Sequence, residues 1–186
     1  MPDVRLKQFT RKLYMETEIK VGVKDILGAP TDAIVNPANS GLSHGAGLAA
    51  TIAEAAGELM EQDCEKIIQK YGRVPKTFAV ATRAGNLPYR CIIHSVGPRM
   101  GDGDEYDKLK KTIFNTMRVC FNKNLKSIAF PAISTGIFGV PKDICARAFI
   151  GALDQFWRDK DHRRINLVWV CLTLDDFLHF EKVMNC

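Results

Sequence analysis

Between positions 36 and 48 the chain places two Asn amides, two Ser hydroxyls, one imidazole and three glycines directly after an apolar run, Ala33-Ile34-Val35. Pro37 ends that run by removing a ladder donor, so polar groups gather where backbone is bare. Gly45 and Gly47 lack a Cβ, which lets a ligand approach the main chain, and the free N–H groups of the Ala-rich helix that follows point toward it. Such a junction suits an anion held by backbone donors. The pattern recurs at 127–139, where the apolar SIAFP runs into Ser134, Thr135, Gly136, Ile137, Phe138 and Gly139. A third strand end carries Asp25, a carboxylate suited either to capping a turn or to accepting from a ligand amine.

Several familiar chemistries do not fit. Gly45-Ala46-Gly47-Leu48-Ala49-Ala50 satisfies the dinucleotide pattern G-x-G-x-x-G/A, yet about eight residues separate it from its strand and no strand-end acid follows at the ribose position. There is no G-x-x-x-x-G-K-[ST] loop, no G-x-S-x-G elbow and no Ser/His/Asp order for acyl transfer. The acidic loop 101–106, GDGDEY, is not completed by a later bidentate Glu, so it reads as solvated rather than calcium-binding. His94, inside the apolar CIIHSV, reads as a satisfied core histidine and receives no role. Six cysteines without a C-x-x-C pair indicate neither zinc nor a disulfide framework, and fit reduced, intracellular thiols. What remains is a phosphate-bearing ligand, with no metal and no cofactor expected.

The elements that position these residues follow from periodicity. At 186 residues and 46% hydrophobic content the chain is most simply one domain, with 1–12 as a peripheral or flexible segment. Its net charge of +5 is dispersed, and the densest basic stretch, 158–164, is interrupted by Asp159 and Asp161. That pattern reads as a solvated loop and not as a nucleic-acid face. The polar N-terminus and the lack of a long apolar run exclude a signal peptide and a membrane span, so a soluble protein is expected. Strands are expected within 13–23 and at 33–35, 77–82, 91–96, 127–131 and 165–172. Helices are expected at 48–57, 58–71, 107–122, 141–157 and 175–184, the last capped by Asp175 or Asp176. Alternation from residue 32 onward means right-handed crossovers, hence a three-layer α/β/α fold with a mixed, mostly parallel sheet and antiparallel strands at the N-terminus. Ligands bind such sheets outside the carboxyl ends of their strands.

Together, VNPANSGLSHGAGLA and FPAISTGIFGVP resemble the two ligand loops of macrodomains, the ADP-ribose-binding modules. The likeness extends to VGVKDI ahead of the central strand, to LPYRCIIHSVGPR and to LTLDD, and its texture is closest to the macrodomains of multi-macrodomain ADP-ribosyltransferases and of coronaviruses. This resemblance implies that Asp25 takes the adenine amino group with Ile26 beside the ring, and that Ala38 and Asn39 meet the distal ribose. It implies that Asn36 braces the loop. Gly45, Ala46, Gly47 and Leu48 would face one side of the diphosphate and Ser134, Thr135, Gly136, Ile137 and Phe138 the other, with Phe138 covering the distal ribose. Leu174 would form the adenine wall where an aromatic is common, with Phe177 near it. One branch of hydrolases has an acid after the glycine loop, where this chain has Ala49. Catalysis would then rest on Asn39, Phe138 and His44, although a loop imidazole also serves as a brace. The implied partners are ADP-ribose and mono-ADP-ribosylated proteins, in the cytoplasm or nucleus, for a monomer or one domain of a longer chain. The activity read from this is hydrolysis of mono-ADP-ribose from acidic side chains, with a non-catalytic reader as the alternative.

Overall fold

The computed structural model describes residues 9–13, 17–158 and 165–184. Most of the basic stretch 158–164 and the start of the N-terminal segment lie outside the described residues. Seven strands form one sheet: β1 (Phe9–Leu13), β2 (Thr17–Val23), β3 (Ala33–Ala38), β4 (Ala79–Thr82), β5 (Cys91–Val96), β6 (Ser127–Phe130) and β7 (Leu167–Leu172), in the order β1-β2-β7-β6-β3-β5-β4. The inner five run parallel, and β1 and β4 pair antiparallel at the two edges. The N-terminal antiparallel pair is as expected, although its outer strand starts before residue 13. β4 was not foreseen as antiparallel; the connection 83–90 is too short for the crossover of about a dozen residues that a parallel pair needs.

Side-chain alternation explains the layers. Val35 and Ile93 join one core with Leu109, Ile113 and Met117 of α3 (Glu105–Asn122), Phe149 and Phe156 of α4 (Lys142–Arg158), and Phe180 of α5 (Leu174–Met184). Their strand neighbours Ile34 and Ile92 point the other way, into a second core with Ile52 of α1 (Gly47–Ala56) and Met60 of α2 (Glu58–Tyr71). Every residue of β5 is buried, the mark of a strand covered on both faces. Each fully buried Ile, Leu or Phe contributes about 1.5–3 kcal/mol to holding the layers together.

Two sequence expectations need correction at α5. Its cap is Thr173, whose Oγ1 accepts the Asp176 N–H at 3.1 Å while its hydroxyl donates to Asp176 Oδ2 at 2.7 Å. Asp175 and Asp176 instead both pair with Lys142. Starting the helix at Leu174 turns that side chain outward, 52% exposed, while Phe177 packs into the core. Cys64, Cys91, Cys120, Cys145 and Cys171 are buried and free. Among the described residues no helix is long and apolar enough to cross a membrane.

Candidate functional site

The carboxyl ends of β2, β7, β6, β3 and β5 open into one cleft of about 630 Å³. It runs across the sheet, so each strand end contributes a section of wall.

At the β2 end, Asp25 Oδ1 accepts the Leu27 N–H at 3.0 Å and caps the short 3-10 turn Ile26–Gly28. Its second oxygen has no partner among the described residues, and Asp25 lines the cleft together with Ile26. Asp25 thus caps the turn and stands exposed on the cleft wall at once, so the two roles posed as alternatives by the sequence are not mutually exclusive in this geometry. The Tyr89 hydroxyl lies 3.1 and 2.8 Å from the Ile26 and Leu27 carbonyls and holds this turn from beneath. The neighbouring wall comes from Cys171, Leu172, Thr173 and Asp176; Leu174 and Phe177 are not part of it.

The middle of the cleft lies between the two glycine-bearing loops. Gly47, the first residue of α1, has φ +61°, and Ala46 ahead of it makes no side-chain cap bond, so the first α1 N–H groups have no side-chain acceptor. A Cβ on Gly45 would meet nothing within 4 Å, and Ala46 beside it is exposed. Across the cleft, Ser134 is held at φ +68° and is buried, with its hydroxyl unpartnered. A left-handed non-glycine residue costs about 1–2 kcal/mol, and such strain concentrates at ligand clamps. A Cβ on Gly97 would lie 2.2 Å from Ser134 Oγ, so the exits of β5 and β6 interlock only because Gly97 is bare. Ile137 is 76% exposed and forms a lip facing Gly47.

At the β3 and β5 end, Asn39 Oδ1 accepts from the N–H groups of Gly41 (3.0 Å) and Ser43 (3.2 Å), and its Nδ2 donates to Ser43 O at 2.7 Å. Asn39 therefore builds its own turn while lining the cleft with Ala38 and Leu48. The Arg99 guanidinium sits 4.6 Å from the Phe138 ring centroid, and the Met100 N–H donates to Phe138 O at 2.8 Å.

His44 is not on the cleft wall. Asn36, fully buried, directs Nδ2 at His44 Nδ1 (3.2 Å) and His94 Nδ1 (3.0 Å). In this arrangement the amide nitrogen donates to both Nδ1 atoms, which assigns the proton of each ring to Nε2 and leaves Asn36 Oδ1 buried without a partner. His94 Nε2 then reaches Thr82 Oγ1 at 2.9 Å, and His44 Nε2 reaches Cys64 Sγ at 3.5 Å. Burial pushes the Cys64 thiol up to about 12, with nearby Asp63 and Glu61 adding to it. The ligand atoms of His44, Cys64 and His94 lie within 4.8 Å of one another, and each takes part in the hydrogen bonds just named. The cluster works as a brace under the 39–47 loop.

Burial, and secondarily His44, lowers His94 to about 3, and burial lowers His44 despite Glu61. A folded-state value below the unfolded 6.5 means that the folded chain binds fewer protons. Stability is therefore fully present above pH 6.5 and declines as pH falls from there toward 3. At pH 5 the His94 contribution amounts to about 2 kcal/mol. Urea midpoints at pH 7.5 and pH 5 should show this loss, and His94→Gln should flatten it; an equal pH dependence in that variant would remove His94 as its source.

This arrangement of loops and strand ends has known counterparts. Residues 35–149 match the Macro domain family. The chain belongs to the macrodomain family. An Oceanobacillus iheyensis macrodomain solved with ADP superposes with a TM-score of 0.89 at 27% identity, covering 97% of this chain and 96% of that one. A Trypanosoma brucei macrodomain in complex with ADP-ribose superposes with a TM-score of 0.79 at 26% identity, over 89% and 68% of the two chains. The O-acetyl-ADP-ribose deacetylase of Escherichia fergusonii is 40% identical over 76% of this chain and 81% of its own. The chain spans only 27% of a 38% identical Thermotoga maritima protein. Of the wall residues of this macrodomain, Lys24, Ser95, Gly97, Arg99, Thr173 and Asp176 were not anticipated. Reading the strand ends of a parallel sheet as one rim would have found 97–99, since β5 was already expected as a strand.

Proposed function

We propose that the cleft binds ADP-ribose and that the protein hydrolyses mono-ADP-ribose esters on acidic side chains. The observation that carries this reading is a single cleft crossing five strand ends, flanked midway by two loops of backbone donors. From β2 to β5 it covers four inter-strand steps, about 19 Å. That length accommodates an adenine at Asp25, a diphosphate between the 45–48 and 134–138 loops, and a distal ribose between Asn39 and Phe138. The bond class follows the relative named O-acetyl-ADP-ribose deacetylase, because an acetylated ribose and an ADP-ribosylated glutamate are both carboxylic esters of ribose. Water is the co-reactant. Asn39 orients the ribose and the loop N–H groups fix the diphosphate, so the rate gain comes from positioning.

Two observations favour a non-catalytic reader instead: Ala49 offers no acid at its position on the cleft, and His44 is committed to the brace beneath the loop. Incubation with a glutamate-linked mono-ADP-ribosylated protein decides between the two. Release of free ADP-ribose supports hydrolysis, and tight binding without release over hours supports the reader.

Asp25→Ala should weaken ADP-ribose by about 1.5–3 kcal/mol, the worth of hydrogen bonds to a charged acceptor, or about ten- to a hundredfold in Kd by calorimetry. Unchanged affinity would leave Asp25 as a cap alone.

A further inference from the structure

The exit of β5 is the strand end to which the ligand placement above gives no task. In the order β2, β7, β6, β3, β5, Asp25 stands at one extreme of the cleft and residues 95–99 at the other. With the adenine at Asp25 and the distal ribose between Asn39 and Phe138, anything attached to that ribose leaves past β5. Arg99 stands there. Its guanidinium lies over the Phe138 ring at 4.6 Å, and its backbone N–H donates to Asp102 Oδ2 at 2.8 Å. The Asp102 charge is itself met by Lys76 Nζ at 2.6 Å, and among the described residues no carboxylate pairs with the Arg99 guanidinium. A guanidinium laid against an aromatic face, with its fork unpaired, is pre-organised for two-point contact with a carboxylate.

We propose that Arg99 determines acceptor specificity: it receives the acyl group of an ADP-ribosylated aspartate or glutamate and pairs with the carboxylate set free. The proposal rests on the ADP-ribose reading of the cleft. In the reaction, one water and the ester give a ribose hydroxyl, a carboxylate and a proton released to solvent as the ester C–O bond breaks. Negative charge accumulates on the two acceptor oxygens, at the end of the cleft where the fork is available. A serine-linked conjugate would release a neutral alcohol, to which Arg99 offers no such stabilisation.

The test compares wild type, Arg99→Gln and Arg99→Lys on three probes: free ADP-ribose, a glutamate-linked mono-ADP-ribosyl peptide and its serine-linked counterpart. In Arg99→Gln, kcat/KM on the glutamate-linked peptide should fall about ten- to a hundredfold, the range for a hydrogen-bonded charge. This fall should exceed the change in Kd for free ADP-ribose by about tenfold, and Arg99→Lys should recover part of it. An equal loss for free ADP-ribose and conjugate would show that Arg99 only supports Phe138, and no loss at all would equally overturn the proposal. Failure of wild type to cleave the glutamate-linked peptide would count against hydrolysis alone. Binding of the intact conjugate then reads Arg99: a loss in Arg99→Gln confined to the conjugate upholds the role, and an unchanged preference for the conjugate ends it.

Discussion

Gly47→Val is expected to abolish ADP-ribose binding while the protein stays folded. At φ +61° a glycine sits without strain, whereas a β-branched residue is a true outlier there, and even an ordinary L-residue costs about 1–2 kcal/mol. That cost is within what a marginally stable domain tolerates. The added Cβ would lie 3.7 Å from Ile137 Cδ1, an ordinary contact, so the loops need not part. The valine methyls would instead stand in the gap between the 45–48 and 134–138 loops, where the diphosphate is placed. Calorimetry at millimolar ADP-ribose should record no heat, with an unaltered circular dichroism spectrum. Binding within about tenfold of wild type would place the diphosphate elsewhere.

The second large effect is expected at Asn39. Asn39→Ala should lower turnover of a glutamate-linked substrate by about a hundredfold, a loss typical of a small misplacement of reacting groups. Its effect on ADP-ribose affinity should be much smaller. The structure complicates a simple reading, because Asn39 Oδ1 also holds the N–H groups of Gly41 and Ser43. Asn39→Asp narrows this: it keeps that acceptor and replaces Nδ2, which donates to Ser43 O, by a charged oxygen. Recovery in Asn39→Asp would assign the loss to the N–H contacts of the turn, and inactivity in both variants would assign it to the Nδ2 position.

Local periodicity made much of this architecture legible. Residues 91–96 and 58–71 form the strand and helix read from them, because a short, mostly apolar run and a strong 3.6-residue repeat leave few alternatives. The two glycine-bearing loops were legible as walls of a cleft because small polar residues followed buried strands. Strand order was not, since β3 neighbours β5 and β6 through crossovers that no local pattern encodes. Arg99 was missed for a different reason: the exit of β5, already expected as a strand, was not read as part of the same rim. Leu174 was misplaced by one hydroxyl: once Thr173 caps α5, the first helical residue turns outward. The ambiguity at His44 was likewise beyond a linear reading, because its partners His94 and Cys64 come from two other elements.

The cleft draws its walls from Lys24 to Asp176, whereas the segment matching the Macro domain family covers 35–149. The proposed adenine end thus comes from the two flanks of the chain, joined where the Lys24 N–H meets Leu172 O at 3.2 Å. A fragment limited to the central segment would lack that wall. A ligand spanning the full cleft acts as a non-covalent staple between strands far apart in sequence, and only the completely assembled sheet can receive it. Ligand present at about a hundred times its Kd would raise the free energy of global unfolding by about 2.7 kcal/mol. Opening of β2 from β7 dismantles the same site and would be suppressed by the same factor, about a hundredfold, which makes amide exchange at this seam a direct gauge of occupancy.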